Sequence, residues 1–197
     1  MATKVTDVTP IAGLTRLQEL SLPREVFHFA PIAGLSSLLR LFLTGPYVRD
    51  VTMCVGLSSL RRLTLYGTQV NDLTPLARLT KLRVLDLDRT QLSDLNTISG
   101  LVLLQDLNLN ATPIDDVSPL AGLTALESLV LSDTQVSDLS PLAGLKALKT
   151  LDLKHTQVSD LPPLAGLTAL QTLILSGSPV SDVSPLKHLR SLTITRG

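Results

Sequence analysis

Hydrophobic positions recur along the chain at a fixed spacing, and each period has two halves. The segment Val136 to Gln157, VSDLSPLAGLKALKTLDLKHTQ, is followed from Val158 by VSDLPPLAGLTALQTLILSGSP, the same template 22 residues on. Further units begin at Ile114, Leu92, Val70, Val48 and Val26, with a 21-residue unit from Val5 and a shortened one from Val180. One leucine column runs Leu20, Leu41, Leu63, Leu85, Leu107, Leu129, Leu151, Leu173; a second lies two residues on, from Leu22 to Leu175. A third, Leu17 through Leu192, lies three residues before the first. Side chains two apart share one face of an extended chain, so each unit predicts one short strand with its leucines inward.

The other half of most units reads Asp, a hydrophobe, then Ser/Thr-Pro-Leu-Ala-Gly-Leu. Ser140 before Pro141 and Thr74 before Pro75 read as a cap followed by proline at a first helical position. The glycine stops the segment within about one turn, which predicts short 3-10 turns rather than long helices. A single unit buries too little apolar surface to offset the ordering of its backbone, so interfaces between stacked units must supply the surplus. The strands then form one parallel sheet, and the wider turn half bends it into an arc with the strands on the concave side. The fold class is α/β, a single domain over 1–197 with nothing left over for a linker.

The run Leu-x-x-Leu-x-Leu-x-x-Thr-x-Val-Ser-Asp-Leu-x-Pro-Leu resembles the leucine-rich repeat family over essentially the whole chain. It is most similar to the 22-residue class of the bacterial internalins and of a regulatory subunit of a eukaryotic Ser/Thr phosphatase. The resemblance implies a right-handed solenoid, a horseshoe with the parallel sheet on its concave face and 3-10 turns on its convex face. It also implies a scaffold that binds proteins. Two departures stand out. The family usually places Asn where this chain has Thr68, Thr90, Thr112, Thr134, Thr156 and Ser178. A hydroxyl can donate to a carbonyl of the next turn but lacks the amide's second donor, so a weaker threonine ladder is expected. No Cys-rich or helical cap is recognisable, and Thr193, Thr195 and Arg196 make the last strand polar, which protects that edge.

Composition reinforces the repeat. Hydrophobic residues make up 44% of the chain but aromatics only 3%, with no Trp, so Leu and Val must build the core. With 17 basic and 17 acidic residues the formal charge is zero, which removes any global attraction to nucleic acid or to an anionic membrane. Cys54, the single cysteine, rules out an internal disulfide framework and fits a reducing compartment. No apolar run approaches the length of a membrane span. If these residues are the whole natural chain, a soluble, cytoplasmic and monomeric protein is expected; a piece of a larger secreted protein would read the same way.

All five aromatic residues fall between positions 27 and 66: Phe27, Phe29, Phe42, Tyr47 and Tyr66. Phe29 takes an inward column and reads as core. Phe42 and Tyr66 take outward positions on adjacent strands, as diagonal neighbours on the concave sheet, with Arg40 and Arg62 in the adjoining outward column. Exposed aromatics beside arginines have the composition of binding hot spots. The plainer alternative is surface variation in a degenerate N-terminal region. Further along come Asp86, Asp88, Asp106, Asn108 and Asn110, then Asp133 and Asp152. Their oxygens are of the kind calcium takes, but a flat sheet rarely wraps six or more ligands around an ion, so a solvated acidic patch is expected. With Arg40, Arg61, Arg62, Arg83 and Arg89 they make a face of two signs, which favours a charged protein partner over a polyanion. The candidate partner-binding set is therefore Arg40, Phe42, Arg62, Tyr66, Arg83, Asp86 and Asp88.

The column Asp7, Asp50, Asp72, Asp94, Asp116, Asp138, Asp160 and Asp182 stacks like charges. An Asp just before a turn, accepting a backbone N–H, gives each a local reason. His28 interrupts the column and relieves its neighbours; His155 and His188 lie in distant units, so no zinc constellation is expected. Cys54 shares an inward column with Leu76 and Leu120 and reads as an inert core thiol. No nucleophile has a histidine and an orienting acid converging on it, and the glycines recur once per turn rather than forming a phosphate loop. The expectation is a non-catalytic module, with no cofactor, metal, nucleic acid or membrane insertion, that binds a protein on its concave face. The alternatives are a regulatory subunit or inhibitor of an enzyme, or the recognition part of a larger protein.

Overall fold

Leucine pairs spaced for an extended chain become strands wherever they occur. The structure, a computed structural model, describes residues 6–196. The unit boundary expected at Val5 lies outside the described residues. Nine three-residue strands are present among them: β1 (Glu19–Ser21), β2 (Arg40–Phe42), β3 (Arg62–Thr64), β4 (Val84–Asp86), β5 (Asp106–Asn108), β6 (Ser128–Val130), β7 (Thr150–Asp152), β8 (Thr172–Ile174) and β9 (Thr193–Thr195). All pair in parallel, in chain order, as one open sheet. The register follows the leucine column, Leu20 opposite Leu41 and so on to Leu173 opposite Ile194. The inward leucines of β2 to β8 are fully buried, whereas Leu20 and Ile194 on the edge strands are half-buried.

Each strand is preceded by a 3-10 turn on the opposite side, from Thr9–Ile11 to Ser184–Leu186. The capping differs from the expectation. The Ser or Thr before the proline is the first residue of the turn, and it makes no side-chain cap of its own. The cap comes from the Asp two residues earlier. Asp138 accepts the Ser140 N–H at 2.8 Å, Asp72 that of Thr74 at 2.8 Å, and Asp116 that of Ser118 at 2.7 Å. This is the role the aspartate column was expected to have. The hydrogen bonds also hold the Asp7, Asp50, Asp72, Asp138 and Asp182 carboxyls below their ordinary value, so at these positions the bonds favour the charged form. Asp160 is the exception that explains the rule. The residue two on is Pro162, which has no N–H, and Asp160 instead accepts the Ser159 hydroxyl at 2.9 Å.

The threonine ladder is also wired differently from the expectation. Thr90, Thr112, Thr134 and Thr156 donate to the carbonyl three residues earlier in their own unit, at 2.8, 2.7, 2.6 and 2.7 Å, as does Ser178. A short hydroxyl reaches its own turn, not the next one. Thr68 has the same burial but leaves its hydroxyl unpaired. Adjacent units are joined instead through the backbone, at a left-handed residue just before each of these hydroxyls. Gly67, Arg89, Ala111, Asp133 and His155 have positive φ and donate their N–H to the following unit at 2.8–2.9 Å. Gly45 belongs to this column too: at φ +92° a Cβ would stand 2.9 Å from the Arg24 Cβ, so only glycine fits there.

Phe29 packs against the core but remains half-buried, because it borders a hollow on the convex flank. Cys54 is fully buried, and burial first, then the Asp50 charge, pushes its thiol up to about 12, which keeps it protonated and unreactive. Among the described residues no helix is long and apolar enough to cross a membrane.

Candidate interface on the concave sheet

Because side chains alternate along a strand, each unit presents the residues flanking its central leucine to the concave face. The register sets Arg40 opposite Arg62 and Phe42 opposite Thr64, with Tyr66 two residues beyond Thr64. Phe42 is half-buried among its neighbours, whereas Tyr66 is 43% exposed. The diagonal arrangement holds, but the two rings differ in character. Tyr66 opens on a hollow of about 350 Å³ with Arg24, Thr44, Gly45 and Gly67, and Phe42 does not line it.

Arg40, Arg62 and Arg83 come together with Arg61 around a second hollow of about 420 Å³, floored by Leu39 and Val84 and bordered by Gln105 and Asp106. Arg40 is drawn sideways to Glu19, which accepts from its Nε at 2.7 Å and from a second guanidinium nitrogen. Arg83 reaches Gln105 only at 3.4 Å. A third, smaller hollow holds Arg62, Asp86, Asp106 and Asn108; it shares Arg62, Val84 and Asp106 with the second, so the two adjoin.

The expected acidic patch is tied down rather than freely solvated. Asp86 and Asp88 are half-buried. Asn108 donates its amide to Asp86 at 3.0 Å, Asn110 donates to Asp88 at 2.8 Å, and Ser132 donates to the Asn110 carbonyl at 2.7 Å. Burial pushes the Asp86 carboxyl above its ordinary value, against the Asp88 N–H and the Asn108 amide that favour its charge. Asp88 also has Arg89 at 3.8 Å, a solvent-screened contact. Asp133 and Asp152 stand apart from this lattice, Asp133 bonded to His155 at 2.9 Å and Asp152 accepting the Lys154 N–H at 2.9 Å. Among the described residues no group of three or more His, Cys, Asp or Glu is placed to hold a metal ion.

A family model described as Leucine Rich repeats (2 copies) matches residues 58–101, 102–144, 124–166 and 146–188. The crystal structure of an internalin C2 from Listeria monocytogenes is similar at 34% identity with a TM-score of 0.87, covering 94% of this chain and 84% of that one. The chain belongs to the leucine-rich repeat family, and its repeats are internalin-like. A second Listeria monocytogenes internalin, inlF, is similar at 28% identity with a TM-score of 0.79; this chain is covered over 97% and spans 64% of the length of that one. No curated protein matches.

An internalin-like leucine-rich repeat is in general a protein-interaction scaffold without a catalytic centre. Against that background, two surface features of this repeat protein escaped the sequence reading. The lateral Asn–Asp bonds between strands carry no signature within a single unit, since they depend on which side chains stack 22 residues apart. The most exposed aromatic residue is Phe27, at 66%, on the flank away from the sheet. Its place in an otherwise polar column with Arg49, Asn71, Ser93 and Ser137 was the available signal.

Proposed function

We propose that this protein is a non-catalytic docking module that binds a protein partner on its concave sheet, through Arg40, Phe42, Arg62, Tyr66, Arg83, Asp86 and Asp88. The observation that supports it best is the adjoining pair of hollows around Arg62, where guanidinium groups, a half-buried aspartate lattice and the nearby Tyr66 ring face solvent together. Arginine and tyrosine are the residues that most often anchor interfaces, since each offers a large contact area with directional donors. A surface with both signs of charge also discriminates among partners by register.

The test is an affinity pull-down comparing the wild type with the double variant Phe42→Ala/Tyr66→Ala, both shown folded by circular dichroism. A partner retained by the wild type and lost by the variant supports docking on the concave face. A partner held equally by both removes that site and moves attention to the convex turns. If the partner is an enzyme, its activity with and without this protein separates an inhibitor or regulatory subunit from a passive scaffold.

A further inference from the structure

We propose that the arginine hollow of the concave sheet receives a short acidic segment of the protein partner, a run of Asp or Glu side chains in extended conformation. The proposal rests on the concave docking reading above and specifies its chemistry. Arg40, Arg61, Arg62 and Arg83 line one hollow of about 420 Å³, and the only carboxylate among its lining residues is Asp106. Glu19 engages Arg40 from the edge strand. Arg61 and Arg62 make no ion pair or side-chain hydrogen bond to any described residue, and Arg83 has only the long contact to Gln105. Each guanidinium presents five N–H donors in a planar fork that matches a carboxylate bidentately, and most of these donors face solvent unused. With Arg40 engaged by Glu19, the charges of Arg61, Arg62 and Arg83 on neighbouring units repel one another, so an incoming anion relieves repulsion as well as forming bonds.

The spacing sets the form of the ligand. Strands lie about 4.8 Å apart, so the arginines of β2 and β3 and the one just before β4 span roughly 10 Å across the sheet. Alternate side chains on one face of an extended peptide are about 7 Å apart, so two of its carboxylates fit within that span. The half-buried Leu39 and Val84 give the aliphatic stems of such side chains a floor to lie on. The surroundings limit its length. A long polyanion continuing along the sheet would pass Asp106, at the border of the hollow, and meet Asp86 and Asp88 beyond it, whereas a short acidic segment stays among the arginines. This favours a peptide over a nucleic acid, whose affinity depends on a continuous track of phosphate contacts.

Fluorescence anisotropy on the full chain tests this with three probes: a labelled peptide of alternating Glu and Ser, the same peptide with Gln for Glu, and a single-stranded oligouridylate of equal charge. The expected result is saturable binding of the Glu peptide, little of the Gln peptide, and a loss of about tenfold or more in the variant R61A/R62A/R83A. The charge-retaining variant R61K/R62K/R83K should fall between, because lysine keeps attraction and loses the fork. A control at the far end of the solenoid, K187A/R190A, should bind as the wild type does. An equal loss in the control, tighter binding of the RNA than of the Glu peptide, or no saturable binding of the Glu peptide would overturn the proposal. A partner lost by Phe42→Ala/Tyr66→Ala but kept by R61A/R62A/R83A would overturn it while leaving concave docking standing.

Discussion

The units from Val26 to Gln69 and those from Ile114 to Gln157 have the same backbone and put their side chains to different uses. In the later units each buried threonine closes its turn, each aspartate caps the next one, and Pro119 and Pro141 hold the first turn position. In the earlier ones Thr68 leaves its hydroxyl unpaired, Met53 replaces the turn proline, and three of the five aromatic residues, Phe27, Phe29 and Tyr66, border open hollows. Local satisfaction is nearly complete where the surface is plain and incomplete where it is chemically rich. The comparison teaches that the repeat tolerates lapses in its own rules at the places where its side chains face outward to other tasks.

The sharpest way to break that contrast is to remove core volume. Leu129→Ala, in the interior strand β6, should cost about 3 kcal/mol and lower Tm by roughly 6–12 °C. The same change at half-buried Leu20 on the edge strand should cost only about 1 kcal/mol. Urea denaturation of both variants checks this, and equal losses would mean that the interior units are not the better-packed ones.

A smaller effect isolates the threonines. Thr134→Val removes a hydroxyl that donates to the Leu131 carbonyl and should cost about 1 kcal/mol. Thr68→Val removes a buried hydroxyl with no partner and should stabilise by about 1 kcal/mol. Opposite signs from one chemical change would confirm the difference between the regions, and equal signs would abolish it.

Capping offers a similar pair at lower amplitude. Asp116→Ala forfeits the bonds to the Ser118 N–H and hydroxyl and should cost about 1 kcal/mol. Asp160→Ala, with Pro162 two residues on, should change stability by only a few tenths of a kcal/mol by the same reasoning.

The smallest effects are in pH dependence. The caps Asp7, Asp50, Asp72, Asp138 and Asp182 have carboxyls held below 3.8, so their stabilisation is complete above that value. It is lost as pH falls through their lower folded-state values, where thermal melts should show a progressive drop in Tm. Asp86 has the opposite sign. Its carboxyl is held above 3.8, so ionising it costs stability as pH rises past that point. Asp86→Asn should therefore raise Tm slightly at neutral pH, and the gain should vanish below pH 3.8.

The fold was legible almost residue by residue because the columns that define it are repeated eight or nine times. Each instance of Leu-x-Leu corrects the reading of its neighbours, and the register from Leu20 to Leu173 follows from counting; the last step, to Ile194, is one residue short of the period and did not. The candidate site was legible only in part. Arg40 opposite Arg62 followed from the period, and so did the diagonal placement of Phe42 and Tyr66. That Phe42 would be half-buried and Tyr66 open did not, because the difference arises from the side chains on the flanking strands. The direction of the threonine bonds was misjudged for a related reason. Periodicity locates a backbone to within a residue but says nothing of a rotamer, and the length of a hydroxyl arm decides which carbonyl it can reach.

The strictly sequential order of the strands, β1 to β9 with no crossover, has a mechanical consequence. Among the described residues no strand of the first unit bonds to any strand of the last, so the sheet itself does not fix how many coils it holds. Stretched by its ends, such a molecule extends like a spring and then peels coil by coil from the weaker tip. In evolution the same openness means that duplicating or deleting 22 residues adds or removes one coil and leaves the hydrogen bonds of the others in place.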